Sequence, residues 1–261
     1  MNEALGLFVP GPGPLYRIHP LPKLLFTFWG VIAPFVLPVE ALPVMVVVVV
    51  VGALLAGLGR VYLRRLLLMT LPSLTSIVLI NGFFFPGARD VLLSVGPFGL
   101  TGEGLEFGLP IAGRVLVAVA VTLAFVTTTR PDDLMAGLVR LGAPTAITFL
   151  VLSAIQAVPR MQAKASRILD AQQARGLRTR GGPLDRMRGL IPLVAPLVIG
   201  SLVDARDRAL ALEARGFGWS GQRTVYRLVP WRGSDRLLAA VAIAALAALP
   251  VVLILRAARF I

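Results

Sequence analysis

Residues 24–59 read LLFTFWGVIAPFVLPVEALPVMVVVVVVGALLAGLG, a stretch whose one charged residue is Glu40. Pro38, Glu40 and Pro43 break it into two apolar halves, which predicts two membrane spans joined by a tight outer turn. Each half is close to the roughly 20 residues a bilayer needs, the first somewhat short. In water, Val44 and the run Val46 to Val51 would predict a buried strand. Lipid reverses that reading, because only a helix or a closed barrel satisfies every backbone N–H and C=O there. The stretch is predicted as helix, and the fold class as all-α and polytopic.

Composition points the same way. Hydrophobic residues make up 57% of 261 positions and the mean hydropathy is +0.83, whereas about 45–50% suffices for a globular core. Cysteine is absent and His19 is the one histidine, so disulfides and clusters of thiolate or imidazole ligands are excluded. Thirteen carboxylates could still hold a hard cation. The first residues carry Glu3 among prolines and glycines, so no secretory signal is expected and insertion relies on the spans themselves.

Further along, Arg60, Arg64 and Arg65 mark a cytoplasmic return, and Leu66 to Phe85 forms a third predicted span despite Pro72. An irregular outer segment follows, with Pro86, Gly87, Arg89, Asp90, Gly96, Pro97 and Gly99. A fourth span is expected from about Leu109 to Thr128. Its Arg114 is either functional or snorkels to the interface. A last span covers Leu237 to Leu255. It places Arg256 and Arg259 outside, against the positive-inside tendency. About five spans are expected in all.

Between Arg130 and Arg232 lie sixteen of the 26 basic residues. That excess predicts a cytoplasmic block. Nucleic acid is an unfavoured partner, because basic residues alternate with apolar runs and no reader motif is present. The alternation, punctuated by Gly142, Pro144, Gly176, Gly181 to Pro183 and Gly216, predicts amphipathic helices at the inner membrane face. Thr145 to Val158 and Leu190 to Val203 are apolar enough to dip into the bilayer but short for a span. The chain thus divides into amino-terminal membrane helices (1–129), a cytoplasmic or interfacial helical region (130–232) and a carboxy-terminal membrane helix (233–261).

Within the basic block one tripeptide occurs twice, Ala174-Arg175-Gly176 and Ala214-Arg215-Gly216, forty residues apart. Each follows a helix-like segment and ends in glycine, the favoured residue of a left-handed helix cap. An arginine there can project into a partner's groove. At about 100° per residue, Arg160, Lys164, Arg167 and Arg175 fall within roughly 80° of one another, a single basic stripe. Arg208 and Arg215 share a face in the same way, with Asp204 one turn before Arg208. The competing reading is that the stripe touches anionic lipid headgroups.

Other features lean toward structure. Asp132 and Asp133 could suggest metal–diphosphate chemistry in a membrane transferase, but no second aspartate cluster accompanies them, and after Pro131 they read as a helix start. Gly52, Ala53, Ala56 and Gly57 form a small-residue face that permits close helix contact, within the chain or with a partner. Lys23 and Lys164 belong to no phosphate-binding loop, so the chain is not itself a Walker-type ATPase.

These residues carry a family resemblance. The paired Ala-Arg-Gly tripeptides, the opening IHPLPKLLFTF with His19, Pro20 and Lys23, the segment GLTGEGLEFGL followed by Arg114, and VTTTRPDDLMAGLVRL from Val126 to Leu141 resemble the transmembrane T component of energy-coupling factor (ECF) transporters, the EcfT/CbiQ-like family. Similarity covers roughly residues 16–250. It implies a non-catalytic subunit, without a cofactor, in a prokaryotic cell membrane. Its partners would be two ABC-type ATPases and a small membrane-embedded substrate-binding subunit, together importing a vitamin or a metal ion. Ala174, Arg175, Gly176, Ala214, Arg215 and Gly216 would form the ATPase-coupling sites on two coupling helices. The alternative, a stand-alone secondary transporter, predicts mid-membrane ionisable residues or repeated broken helices, and apart from Arg114 the sequence shows neither.

Overall fold

The computed structural model describes residues 8, 13–55, 57–86, 90–95, 98–177, 183–219, 221 and 230–258. Among them run eight α-helices: α1 (Pro20–Val36), α2 (Ala41–Leu55), α3 (Gly59–Phe84), α4 (Gly102–Thr128), α5 (Pro131–Arg140), α6 (Thr145–Ala174), α7 (Pro183–Ala214) and α8 (Gly233–Ala257). Ala56, Gly87, Arg89, Gly96, Pro97, Arg178, Arg180, Gly181, Gly182, Gln222 and Arg259 lie outside the described residues.

The chain is an all-α polytopic membrane protein. Four helices are long and apolar enough to cross a bilayer, at Gly59–Phe84, Gly102–Thr128, Thr145–Ala174 and Gly233–Arg256, with α1 and α2 as shorter apolar helices. The burial pattern differs from that of a water-soluble domain in how many large apolar side chains stay exposed around the apolar core. Val44, Val47, Val48, Leu68, Ile80 and Leu253 are exposed, while His19, Thr70, Thr127 and Asp235 are buried. Apolar side chains face outward because their solvent is lipid. Two of the buried hydroxyls bond their own helix, Thr70 to the Leu66 carbonyl and Thr127 to that of Leu123, both at 2.7 Å.

Two compact units divide the chain, Leu7–Gly137 with Val229–Ile261, and Leu138–Leu228. In the first, α4 is the central helix and packs on α1, α2 and α3, while α8 packs on α1. Ala53, Leu58, Tyr62, Leu66, Ala120 and Leu123 form one core cluster. The Tyr62 hydroxyl donates to the Ala120 carbonyl at 2.8 Å, so the phenol is satisfied inside an apolar contact. Ala33, Met45, Val117 and Leu249 form a second cluster.

The close helix contact rests on α4 more than on the small-residue face expected of α2. Ala53 of α2 is buried in the core, but a side chain at Gly52 would meet open space. On α4, Gly104 and Gly108 lie against Asn81 of α3, where a Cβ at Gly104 would strike the Asn81 carbonyl. Side-chain size at Gly104 therefore sets how closely α3 and α4 approach.

Several boundaries move outward from the sequence reading. Helix α3 starts at Gly59 and includes Arg60, Arg64 and Arg65, and α4 starts at Gly102. The outer segment is more ordered than expected: Val91–Val95 (β1) and Phe98–Thr101 (β2) pair antiparallel. Thr101 ends that hairpin and caps α4, its hydroxyl oxygen accepting from the Gly104 amide at 3.3 Å. Asp132 and Asp133 occupy the first turn of α5 behind Pro131, where acids complement the helix dipole.

Arg114 has a structural task. Its Nε donates to the Pro34 carbonyl at 3.1 Å, and Arg256 Nη1 donates to the Val36 carbonyl at 2.7 Å. Both carbonyls belong to the last turn of α1, whose end lacks helical donors. Pro38, four residues after Pro34, has no N–H to offer that carbonyl. Two arginines from α4 and α8 thus close the carboxyl end of α1. Arg256 is thereby placed by a hydrogen bond, which accounts for a cation at that end of α8 despite the positive-inside tendency.

At the opposite end of α1, His19 and Asp235 tie three helices together. Each is 1% exposed. His19 Nδ1 accepts from the Leu21 amide at 3.3 Å and so caps α1. Asp235 Oδ1 accepts from the His19 amide at 3.2 Å and Oδ2 from the Arg232 amide at 2.9 Å. The imidazole stacks on Trp231, with ring centroids 4.3 Å apart, and a Cβ on Gly137 of α5 would stand 3.2 Å from its Cε1.

Candidate functional site

The second unit is built on α6 and α7, thirty and thirty-two residues long. Each fuses segments that the sequence separates: α6 joins the apolar stretch from Thr145 to the basic stripe, and α7 joins Leu190–Val203 to the second tripeptide. By length and composition α6 itself qualifies as a span, though its most apolar window has a mean hydropathy of 1.2 against 2.9 for α8. Among the described residues the basic region therefore contains one helix both long and apolar enough to span, which its charge alone does not predict.

Both helices end in the same way. At α6, the Gly176 amide donates to the Gln173 carbonyl at 2.9 Å and the Leu177 amide reaches back to Gln172 at 3.0 Å. At α7, the Gly216 amide donates to Glu213 at 2.9 Å and Phe217 to Leu212 at 2.9 Å. These are paired bonds of the Schellman cap, which turns the chain away and leaves the preceding residue at the helix tip. The glycines have φ of 95° and 70°. Nothing lies within 4 Å of a Cβ built on either, so backbone conformation and not lack of room calls for glycine. Ala174, Arg175, Ala214 and Arg215 are all exposed.

Lys164 and Asp204 hold the two helices together. Their Nζ and Oδ2 are 2.8 Å apart. The Lys164 side chain crosses Gly200, where a Cβ would come within 2.6 Å of Nζ. The Asp204 carboxyl is held below its usual value, first by the hydrogen bond with Lys164. Farther along, Phe149 near the start of α6 packs on Phe217 just beyond α7, with centroids 4.9 Å apart. Early α6 meets late α7, so the helices run antiparallel. Arg175 and Arg215 therefore lie at opposite ends of the pair, each eleven residues from its own partner in the ion pair. At 1.5 Å per residue that is roughly 16 Å of helix on each side.

The expected basic stripe is divided by this contact. Lys164 turns to α7 and is half-buried, while Arg160, Arg167 and Arg175 stay exposed. Sequence reasoning named Lys164 and Asp204 but not their pairing, and it missed Gly200 altogether. The available signal was the shared forty-residue spacing: 164 and 204 are equivalent positions in the two tripeptide-bearing segments.

Four helices of span length, together with a second unit that presents two exposed arginine tips, define a multi-pass membrane protein. Comparison with known proteins gives the particular family. Residues 13–226 match the family model described as CbiQ, cobalt transport protein. The chain is 30% identical over 253 residues to the energy-coupling factor transporter transmembrane protein EcfT of Leuconostoc gelidum subsp. gasicomitatum, covering 90% of this chain and 91% of that one. It is 30% identical over 249 residues to the EcfT of Limosilactobacillus fermentum, covering 91% and 92%, and 34% identical over 171 residues to that of Listeria innocua, covering 62% and 64%. The chain belongs to the EcfT/CbiQ family of transmembrane transport components and is a multi-pass cell-membrane protein.

Proposed function

We propose that this chain is the coupling scaffold of an ECF-type importer, linking two cytoplasmic ABC-type ATPases to a small membrane-embedded substrate-binding subunit for uptake of a vitamin or a metal ion. The observation that carries the proposal is the pair of identically capped, exposed arginine tips at opposite ends of the α6–α7 pair. Tips so far apart cannot enter one groove, so they suit two partners. Guanidinium suits the contact because it stays charged and can grip a carboxylate with two parallel hydrogen bonds. In this reading ATP hydrolysis belongs to the partners, whose closure moves the two tips and, through the α6–α7 contact, the membrane helices. The basic region, 130–232, lies on the cytoplasmic side.

The deciding experiment is the double variant Arg175→Ala plus Arg215→Ala. It is expected to insert normally, to lose ATPase co-purification and to abolish uptake. Normal uptake at normal expression refutes the coupling role. Tight substrate binding by the isolated chain, below about 1 μM, points instead to a stand-alone transporter.

A further inference from the structure

A cleft of about 210 Å³ opens where α1 begins, α4 ends and α5 begins, with Lys23, Thr129, Arg130 and Asp133 on its wall and Phe8 and Tyr16 at its rim. We propose that this cleft binds the phosphodiester of an anionic membrane lipid. Nothing in this proposal depends on the ATPase contacts of Arg175 and Arg215.

Its polar lining is dominated by donors. Lys23 Nζ gives one hydrogen to the Thr128 carbonyl at 3.3 Å, and an ammonium carries three. Arg130 lies over the Phe8 ring, 5.0 Å from its centroid, an arrangement that orients a guanidinium without using its N–H groups. Thr129 is only 7% exposed, yet its hydroxyl has no hydrogen-bond partner among the described residues. A buried hydroxyl left so costs free energy that an acceptor in the cleft would recover.

Charge and depth select the acceptor. The Asp133 and Asp235 carboxylates both act on Lys23, which leaves the exposed Arg130 as the cation to meet the single charge of a phosphodiester. The cleft stands at the ends of membrane helices, the level at which lipid phosphates meet water, and Tyr16 at its rim is the kind of residue that favours this boundary. Lys23 and Arg130 supply charge-assisted hydrogen bonds to the phosphate oxygens, and Thr129 supplies a neutral one.

The test is native mass spectrometry of the delipidated full chain in neutral detergent, titrated with dioleoyl-phosphatidylglycerol, with dioleoyl-phosphatidylcholine, or with phosphatidylglycerol in competition with inorganic phosphate. One phosphatidylglycerol is expected to be retained, at least tenfold more tightly than phosphatidylcholine, and not displaced by phosphate. The near-isosteric Thr129→Val should weaken retention about fivefold, the effect of one neutral hydrogen bond. Arg130→Gln, at an exposed position that leaves folding intact, should weaken it tenfold or more, whereas Arg60→Gln plus Arg64→Gln on α3 should not. Equal retention of both lipids, or retention unchanged by Thr129→Val and Arg130→Gln, overturns the site. Displacement by phosphate overturns the lipid as its source.

Discussion

Lys164 Nζ lies 2.8 Å from Asp204 Oδ2, and each residue stands eleven positions before the arginine at the tip of its own helix. The ion pair thus joins α6 and α7 at equivalent points and leaves two arms of equal length. A change in the angle between the arms that kept this ion pair intact would turn about it.

Charge reversal tests that pivot. Lys164→Asp or Asp204→Lys alone should lower uptake and uncouple ATP hydrolysis from transport, and the double reversal should recover most of both. Exposed ion pairs contribute little to stability because water screens them, so expression should hardly change. Since the folded carboxyl titrates below its ordinary 3.8, the pair's contribution is present above that value and fades only as pH falls through the folded one. Uptake measured across neutral pH should show no step from this group. Failure of the double reversal to recover coupling would remove the pivot.

Gly176→Ala and Gly216→Ala should each disfavour the left-handed cap by about 1–2 kcal/mol. If ATPases dock on the capped tips, affinity should drop roughly 5- to 30-fold for either variant. Gly52→Ala is the control, being helical and open in α2. It should leave affinity unchanged, as titration of purified ATPase onto each variant would show.

Arg114→Leu leaves the Pro34 carbonyl without its donor, and Pro38 cannot replace it. A stranded buried acceptor costs about 1–3 kcal/mol. Thermal unfolding in detergent should therefore begin several degrees lower, at roughly 2–4 °C per kcal/mol for a chain of this size. Arg114→Lys, which keeps a donor, should recover part of the loss. An unchanged melting temperature for Arg114→Leu would mean that the cap contributes nothing.

Asp235→Ala removes the acceptor shared by the His19 and Arg232 amides. Bonds to a charged group are worth about 1.5–3 kcal/mol each, so this variant should be among the least stable in the membrane unit. Hydrogen exchange should rise together at the amino ends of α1 and α8. Exchange confined to α8 would show that the carboxylate does not join the two helices.

Single cysteines at Gln173 and Gln222 should react with an impermeant thiol reagent only from the inner face. Because α6 is long enough to span, this experiment separates a cytoplasmic arm from a transmembrane one. Labelling of the Gln173→Cys variant from outside would place its tip on the wrong side for an ATPase.

Much of the fold was legible because a bilayer leaves few options. The valine run at 46–51 became α2 since a lone strand cannot satisfy its backbone in lipid. The two tripeptides announced their own helix ends, because a residue before a capping glycine is a local matter. What escaped the sequence were pairings between distant segments. Arg114 read as either functional or snorkelling until the Pro34 carbonyl lay beside it, and nothing along the chain singled out Asp235, which is buried against His19, 216 positions away.

By itself, then, the sequence determined the all-helical membrane class and the two arginine tips, since hydropathy over a helix length and the φ preference of glycine act within a few neighbouring residues. Only the tertiary structure decided what those pieces do to one another: that Lys164 crosses Gly200 to reach Asp204, that α6 and α7 run antiparallel with their tips at opposite ends, and that Arg114 and Arg256 close α1. Hydrogen bonds and ion pairs act over about 3 Å of space, and no periodicity along the chain records which residues the fold brings that close.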